Sequence, residues 1–260
     1  MKKEKKVDYL SNEFLNPIIK IGILFYGVYL IFNWLFGSTF FAYKCDYKSA
    51  LFGTDEETIW DQGGLYVHPA SASVMKVSSS NASDTSTTVL VEGLDEDYNT
   101  LSETVTLNGQ TAVNTSGSYL RVNRATVITN APQGDVYIGS GTVTSGVPAN
   151  VFAKIVAGEN QTLMAVWTVP AGYTAHLHEI SASSGTTSAN KFTTVRLKCA
   201  PFNQVPQTKA VQTLHNSFIE MDFGVPLEVP EKSDCELRAV SSSGTDSVSG
   251  TMTFVYVQNG

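Results

Sequence analysis

A long apolar run near the N-terminus constrains this chain more than any other feature. Between Pro17 and Phe41 the sequence has no polar face, and no charged residue occurs between Lys20 and Lys44. The run exceeds the ~20 residues that a helix needs to cross the hydrocarbon of a bilayer. We therefore predict a transmembrane helix over residues 18–41. The side chains predicted to form this membrane anchor are Ile18, Ile19, Ile21, Leu24, Phe25, Val28, Leu30, Ile31, Trp34, Leu35 and Phe36.

Two other interpretations of the apolar run remain open. A helix that is hydrophobic on all sides also occurs in the core of a large assembly. A secretory signal peptide has an apolar region of ~7–15 residues that ends at small residues. This run is longer and ends in the bulky side chains Phe40, Phe41 and Tyr43, so the anchor is favoured over a signal peptide.

The cations that flank the run predict its orientation. The short basic N-terminus carries Lys2, Lys3, Lys5 and Lys6. Only Lys44 and Lys48 follow the run closely. Because loops on the cytoplasmic side of a membrane are enriched in Lys and Arg, we predict a single-pass protein with its N-terminus inside and a large C-terminal ectodomain.

The remainder of the chain is polar and rich in Ser, Thr and Gly. From Leu65 onward, short candidate strands are separated by Gly, Asn, Ser and Pro, which is typical of β-sandwiches and barrels. We predict an all-β ectodomain of one or two antiparallel, jelly-roll-like sandwich lobes. The predicted organisation is a basic N-terminus over 1–17, the helix over 18–41, a tether over 42–64, and lobes over 65–158 and 159–260.

Local patterns support the strand prediction. Val195, Leu197 and Cys199 alternate with charged residues, as expected of a sheet with one face in the core and one in water. The Asn108-Gly109 pair is a strong hairpin signal, and we expect it to join strands at 102–107 and 111–113. Within the tether, Trp60 is the residue most expected to dock on the rest of the protein.

Charge and motifs exclude several classes of function. The net charge is −7, which argues against binding to a nucleic-acid backbone, since that requires clustered Lys and Arg. The sequence has no nucleophile elbow, phosphate loop, zinc-protease helix or dinucleotide fingerprint. We expect no catalytic residues, no cofactor and no enzyme activity.

Two groups of polar residues have part of the pattern of a metal site. His176 and His178 lie two apart on a predicted strand, with both rings on one face and Glu179 on the other, but no third ligand is evident. Asp95 and the residues after it begin like a calcium loop, but the required Gly and Glu are absent at positions 6 and 12. We predict a surface or contact role for the histidines and a plain acidic connection at residues 94–99.

The three cysteines are Cys45, Cys199 and Cys235. They lack the C-x-x-C spacing of a zinc site. Cys199 and Cys235 both fall in predicted strands, where they are either buried thiols or, if adjacent in an oxidising compartment, a disulfide bond. We favour buried thiols. Cys45 follows the apolar run and is a candidate for lipidation from its position.

Several stretches of the ectodomain together resemble a known family. They are Val89–Asn99, Glu103–Val113, Ser118–Arg124, Tyr137–Ala149, Gln161–Gly172 and Pro226–Asp234. The chain resembles β-rich structural proteins of marine phages and related aquatic viruses over about residues 65–257. The resemblance implies a virion component without known catalytic residues. The apolar segment at 17–41 is not part of the family pattern.

Two functions therefore compete. The favoured one is a structural virion protein, a minor capsid, vertex or spike subunit that links a viral lipid membrane to the protein shell. Its expected partners are the lipid membrane and other capsid proteins, as a homo-oligomer or capsid-bound subunit. The alternative is a membrane-anchored adhesin or receptor-binding protein that binds glycans. A pilin-like subunit is a more distant alternative, since no processing site is recognisable at the N-terminus.

Overall fold

The described chain is built from antiparallel β-sheets. The computed structural model describes residues 39–52, 54–185 and 188–259, and it contains no helix in these ranges. The prediction of an all-β fold is confirmed. The strands are β1 (Thr39–Phe52), β2 (Glu57–Thr58), β3 (Ser73–Ser79), β4 (Thr88–Leu94), β5 (Thr100–Thr106), β6 (Val113–Tyr119), β7 (Arg121–Thr129), β8 (Val136–Thr144), β9 (Val147–Ile155), β10 (Val166–Thr168), β11 (Tyr173–Ser184), β12 (Thr193–Ala200), β13 (Gln207–Leu214), β14 (Phe218–Val229), β15 (Asp234–Ser241) and β16 (Asp246–Gln258).

Two sheets share one cluster of buried apolar residues, and we call this pair of sheets the first lobe and the other pair the second lobe. One has the strand order β6-β3-β8-β9 and the other β5-β4-β7. The end strands of one sheet lie beside those of the other, β5 by β6 and β7 by β9. Because the two sheets approach each other along both borders, their edges are covered more than those of an open sheet.

Two further sheets form the second lobe. One has the order β1-β16-β11-β14, and the other has the order β10-β15-β12-β13 with β2 added beside β15. Strand β12 shows the alternation predicted from its sequence, since Val195, Leu197 and Cys199 are buried and the residues between them are half-buried. Strands β13 and β14 follow one another in the chain but belong to different sheets. In the described part of the chain, each is the edge strand of its sheet.

The buried apolar side chains fall into two clusters. The first core lies between the sheets of the first lobe and includes Met75, Tyr119 and Ile138. The second core lies between the sheets of the second lobe and includes Trp167 and Phe254, whose ring centroids are 4.8 Å apart. Burying one such aromatic side chain stabilises a fold by about 1.5–3 kcal/mol, so each lobe has a substantial core of its own.

The chain passes directly from one core to the other in two places. Ile59 belongs to the second core and Trp60 to the first, whereas Val166 belongs to the first and Trp167 to the second. In a strand, successive side chains point to opposite faces. Neighbouring residues of one extended segment can therefore fill both cores.

The interval 42–64, predicted as a tether, contains ordered structure. It includes most of β1 and all of β2, which pairs with β15 through Thr58 and Arg238. Trp60 docks as expected: it is 4% exposed, and its ring N–H donates to the carbonyl of Gly64 at 3.1 Å. The sequence shows no periodic pattern here because the segment is held by both cores and by a sheet edge rather than by one buried face.

The predicted hairpin at Asn108-Gly109 is wrong in its pairing. The tight turn exists, with a bridge between Asn108 and Thr111 and a positive φ of 56° at Gly109. The strands on either side separate, however, because β5 pairs with β4 and β6 pairs with β3. The turn instead contacts an earlier loop, where the Gly109 N–H donates to the carbonyl of Asp84 at 2.8 Å.

The predicted transmembrane helix over 18–41 lies outside the described residues, apart from its last three positions. Those three belong to strand β1, so the helix cannot extend as far as the sequence predicts. Within the ranges that the structure describes, no helix is long and apolar enough to span a membrane.

Candidate functional site

A half-buried charge cluster joins the two lobes around Asp234. Arg121 donates to both carboxylate oxygens, from Nε to Oδ1 at 2.9 Å and from a terminal nitrogen to Oδ2 at 2.9 Å. The Thr168 hydroxyl donates to Oδ1 at 2.6 Å. The exposed fractions of the Arg121 and Asp234 side chains are 11% and 22%. A paired guanidinium and carboxylate in this two-bond geometry form a strong, directional contact.

The charge cluster depends on residues from both lobes. Arg121 opens β7 of the first lobe, whereas Asp234 opens β15 of the second. Beside them, the side chain of Asn123 accepts from the backbone N–H of Thr168 at 3.1 Å and donates to its carbonyl at 3.2 Å. These bonds fix the direction in which the lobes meet, since each requires a defined orientation.

Tyr98 closes the charge cluster from the solvent side. It has a positive φ of 67°, and a terminal nitrogen of Arg121 donates to its hydroxyl at 3.2 Å. The guanidinium lies 5.3 Å from the centre of the Tyr98 ring, and Phe202 packs edge-on against that ring at 5.6 Å. The aromatic pair partly shields the ion pair from water, which strengthens it.

His68 lies at the border of the charge cluster. Its Nε2 is 3.7 Å from Asp234 Oδ1, and its buried Nδ1 has no hydrogen-bond partner among the described residues. Burial lowers the pKa of His68 from 6.5 to about 4, although the nearby Asp234 carboxylate opposes the shift. The imidazole is therefore neutral in the folded protein at neutral pH.

His68 predicts a loss of stability on mild acidification. Its folded pKa is depressed, so between pH 6.5 and about 4 the unfolded chain binds more protons than the folded chain. Unfolding free energy should fall by about 2 kcal/mol between pH 7 and pH 4.5. In urea titrations, His68→Gln should remove most of this fall. His178→Gln, at an exposed histidine, is the matched control and should leave it; equal slopes for wild type and His68→Gln would contradict the assignment.

Two concave regions adjoin His68. The smaller, of about 140 Å³, is lined by charged residues that include Lys198, Glu236 and Arg238. The larger, of about 450 Å³, opens on the first lobe and is lined by serines, including Ser71 and Ser140, together with Asn150 and Phe152. In the smaller region the carboxylate of Glu236 already accepts from Arg238 at 2.5 Å, so its charges largely satisfy one another.

A different surface stands out on the second lobe, where β13 and β14 end their sheets. Among the residues whose burial the structure describes, ten large apolar side chains are exposed, and five of them lie between residues 202 and 225. They are Phe202, Val205, Val211, Phe218 and Val225. We call β13, β14 and the loop before β13 the open edge. Exposed apolar groups concentrated in one region mark interaction surfaces more often than scattered ones do.

A bulge in β14 presents Val225. Leu177 of β11 pairs with Leu227, but Glu179 pairs with Asp222, so four residues of β14 stand opposite one residue of β11. Within this bulge Val225 is 87% exposed. Before and after the bulge, the inward side chains of β14, including Ile219 and Leu227, are only partly buried against the second core. The core is therefore incompletely covered along this strand.

The two strands of the open edge differ in charge. Strand β14 carries Glu220 and Asp222 in exposed positions, whereas β13 carries the exposed Lys209. Lys198 on the neighbouring strand β12 donates to the hydroxyl of Thr208 at 2.7 Å, which adds a second cation beside β13. One border of the lobe is thus acidic and the adjoining border is basic.

The two histidines considered as metal ligands are separated by the same bulge. His176 pairs with Glu228 of β14, while His178 is the extra residue between the paired Leu177 and Glu179. The sequence predicts Glu179 on the face opposite the histidines, but the bulge breaks the alternation: Glu179 is half-buried like His176, while Leu177 and Ile180 are buried. No group of three metal-ligating side chains occurs in the described ranges, and the contact role of the histidines stays a prediction.

The acidic connection at residues 94–99 links β4 to β5. The Asp95 carboxylate accepts from the backbone N–H groups of Asp97 and Asn99, both at 2.9 Å. It also accepts from the Asn99 side-chain amide at 3.3 Å. These bonds stabilise the turn and use the oxygens that a cation would need.

Cys199 and Cys235 are buried free thiols. They stand directly opposite each other on β12 and β15, a juxtaposition that the sequence could not supply. The predicted anchor residues, the N-terminal lysines and Cys45 lie where the structure describes no side chains, so the anchor and lipidation assignments stay predictions.

Sequence reasoning missed the charge cluster. Its members come from four separate strands or loops, and single Arg, Asp, His and Thr residues carry no local motif. One signal was available: Arg121 and Asp234 both begin strands, where ion pairs can reach between sheets. The exposed Val225 next to Pro226 was a further signal, since proline inside a strand marks an edge or a bulge.

The chain was compared with protein families, curated proteins and solved structures. No protein-family model matches the sequence, and no curated protein matches it. Among solved structures, the chain is similar to VP2 of infectious bursal disease virus in a subviral particle, with 12% identity over 86% of this chain and 71% of that chain and a TM-score of 0.24. A structure of the Gt strain of the same virus gives 13% identity, coverages of 85% and 71%, and a TM-score of 0.22. Likenesses with TM-scores this low carry no argument about this chain.

Proposed function

We propose that this protein is a structural component of a virus particle and works by assembling with copies of itself. The observation that carries the proposal is the open edge, where two adjacent strands end their sheets with exposed apolar side chains. Unpaired strand edges form hydrogen bonds readily with another chain, so a stable protein must cover them or give them to a partner. The sequence resemblance to virion proteins of aquatic viruses supports the same role.

We propose a second copy of the chain as the occupant of the open edge. The acidic β14, with Glu220 and Asp222, complements the basic β13, with Lys209. A two-fold rotation would place β14 of each copy against β13 of the other, so one symmetric contact forms both complementary pairs. Val225 would then enter the contact between the two copies as an apolar anchor.

The particle role is tested by locating the chain. Virus particles should be purified, treated with mild detergent and separated into lipid and shell fractions, and the chain should be quantified in each by mass spectrometry. We expect the chain in intact particles at a fixed ratio to the other structural proteins. Its absence from purified particles would overturn the proposed function, whatever the isolated chain does.

We further propose that residues 18–38 anchor the protein in a lipid membrane with the N-terminus inside. The support is the uncharged run and the excess of lysines before it. Val28→Arg places a charge near the middle of the run and should cost about 2.5–3.5 kcal/mol of insertion free energy. Flotation with vesicles should show the variant largely lost from the lipid fraction. Equal flotation of variant and wild type would contradict the anchor.

A glycan-binding adhesin is the second candidate. The larger concave region beside His68 favours it, because its serine hydroxyls and the Asn150 amide are groups that hydrogen-bond sugars. The discriminating measurement is a glycan array with the full-length chain. A defined glycan bound by the wild type and lost on Asn150→Ala, together with a monomeric state at high concentration, would favour the adhesin.

A further inference from the structure

We infer that Cys199 and Cys235 form a redox-dependent cross-strand disulfide bond within the second lobe. They are direct partners in the antiparallel register of β12 and β15. Both are core-facing, with exposed fractions of 2% and 0%. The structure contains them as free thiols, so it shows the reduced form.

The backbone geometry of the pair suits a disulfide bond. Directly opposite residues of antiparallel strands have Cα atoms about 4.5–5.5 Å apart. A disulfide bond accommodates Cα separations of about 4.4–6.8 Å. Closing the bond is therefore compatible with the existing register and requires rotation of the side chains, not a new arrangement of the sheet.

The position of the pair allows it to react although it is buried. Cys199 is the next-to-last residue of β12, and Cys235 is the second residue of β15. Strand ends open more often than strand centres do. On its other side, β12 pairs with β13, which is the edge strand of this sheet in the described part of the chain, so only one strand covers Cys199 there. Burial raises the pKa of the Cys235 thiol, so the reaction should be slow at neutral pH and faster at higher pH.

The reaction needs an oxidant, for which we name a low-molecular-weight disulfide. One cysteine thiolate attacks the small disulfide, forms a mixed disulfide and releases one small thiol. The second cysteine then attacks the protein-bound sulfur and releases the second small thiol. The protein loses two hydrogens, which end on the two released thiols, and the disulfide reagent is reduced. A chain that is made in a reducing cell and then released to an oxidising exterior would therefore change from the thiol form to the disulfide form.

The test uses full-length protein carrying Cys45→Ser, so that only the two thiols in question remain. The folded protein is incubated with oxidised glutathione at pH 8, then denatured, alkylated without reduction and digested. We expect a linked peptide that contains Cys199 and Cys235, a mass lower by two hydrogens, and two released glutathione molecules per chain. The melting temperature should rise by about 5 °C or more, because the bond closes a long loop, and the rise should disappear on reduction.

The controls separate the bond from other oxidation. Cys199→Ser and Cys235→Ser each retain one thiol and should give at most a mixed disulfide with no rise in melting temperature. If either variant folds poorly, the peptide map of the Cys45→Ser protein alone still shows whether the disulfide bond between Cys199 and Cys235 forms. Recovery of both cysteines as alkylated thiols after prolonged oxidation of the folded chain would overturn the inference. So would a linked peptide that forms only when urea is present during oxidation. Neither result depends on the proposed virion role.

Discussion

Replacing Asp234 by alanine is expected to destabilise the protein by about 2–3 kcal/mol, because the change leaves the half-buried Arg121 guanidinium without its charged partner. Arg121 donates two hydrogen bonds to this carboxylate, and Thr168 donates a third. The loss should appear as a lower urea midpoint for unfolding. The large expected effect comes from the unpaired charge that remains, not from the net contribution of the pair.

Two further variants make this prediction specific. Asp222→Ala removes an exposed carboxylate on β14 and should change stability by less than about 0.5 kcal/mol. A double variant, Asp234→Ala with Arg121→Met, should be less destabilised than the sum of its single variants, since the uncompensated charge is removed with its partner. Additive losses would show that Arg121 and Asp234 contribute independently, which would contradict the charge cluster.

The charge cluster also predicts behaviour in strong acid. Burial raises the pKa of Asp234, but the hydrogen bonds from Arg121, the charge that His68 gains only in acid, and the charge of Arg121 outweigh burial. Together they hold the pKa of Asp234 below its ordinary value of 3.8. The stabilisation is therefore complete above pH 3.8 and is lost as the pH falls through the depressed value. His68 acts at higher pH, between 6.5 and about 4, so the two groups affect separate parts of a stability profile.

Val225→Lys is expected to abolish self-association of the full-length chain while leaving its fold intact. Val225 is 87% exposed in the bulge of β14, so lysine is accommodated without repacking the core. In the proposed contact the new ammonium would be buried against a second copy, next to the cations of β13, which costs several kcal/mol. Sedimentation velocity over a range of concentrations, in mild detergent, measures the effect.

The matched control is Ile128→Lys. Ile128 is 54% exposed on β7 of the first lobe, so the substitution introduces the same charge at an apolar surface position away from the open edge. Its self-association should equal that of the wild type. If both lysine variants weaken association to the same extent, the effect is one of net charge, and the contact does not involve the open edge.

The fold class could be predicted from the sequence because the fold class depends on local patterns. The alternation along β12 and the turn residues between strands identify sheets without knowledge of strand pairing. Pairing was harder, as the Asn108-Gly109 turn shows: a two-residue turn predicts a hairpin only if both flanking strands join the same sheet. Here β5 joins the sheet of β4 and β6 joins the sheet of β3.

The candidate sites were less predictable than the fold for a physical reason. The charge cluster unites Arg121 and Asp234, which are far apart in the chain, and only the packing of two lobes brings them together. The open edge depends on which strands end a sheet, and that depends on the order of all the others. The register that places Cys199 opposite Cys235 also depends on the whole fold. A slip of one residue would place the two side chains on opposite faces of the sheet.

Hydrogen–deuterium exchange on the wild-type chain tests the central claim most directly, because it reports where association protects the backbone. Exchange would be compared at concentrations below and above the association midpoint. The proposed contact predicts slower exchange confined to β13 and β14, with β5 and β7 of the first lobe unchanged. Association without protection of β14, or a chain that stays monomeric at every concentration, would contradict the claim.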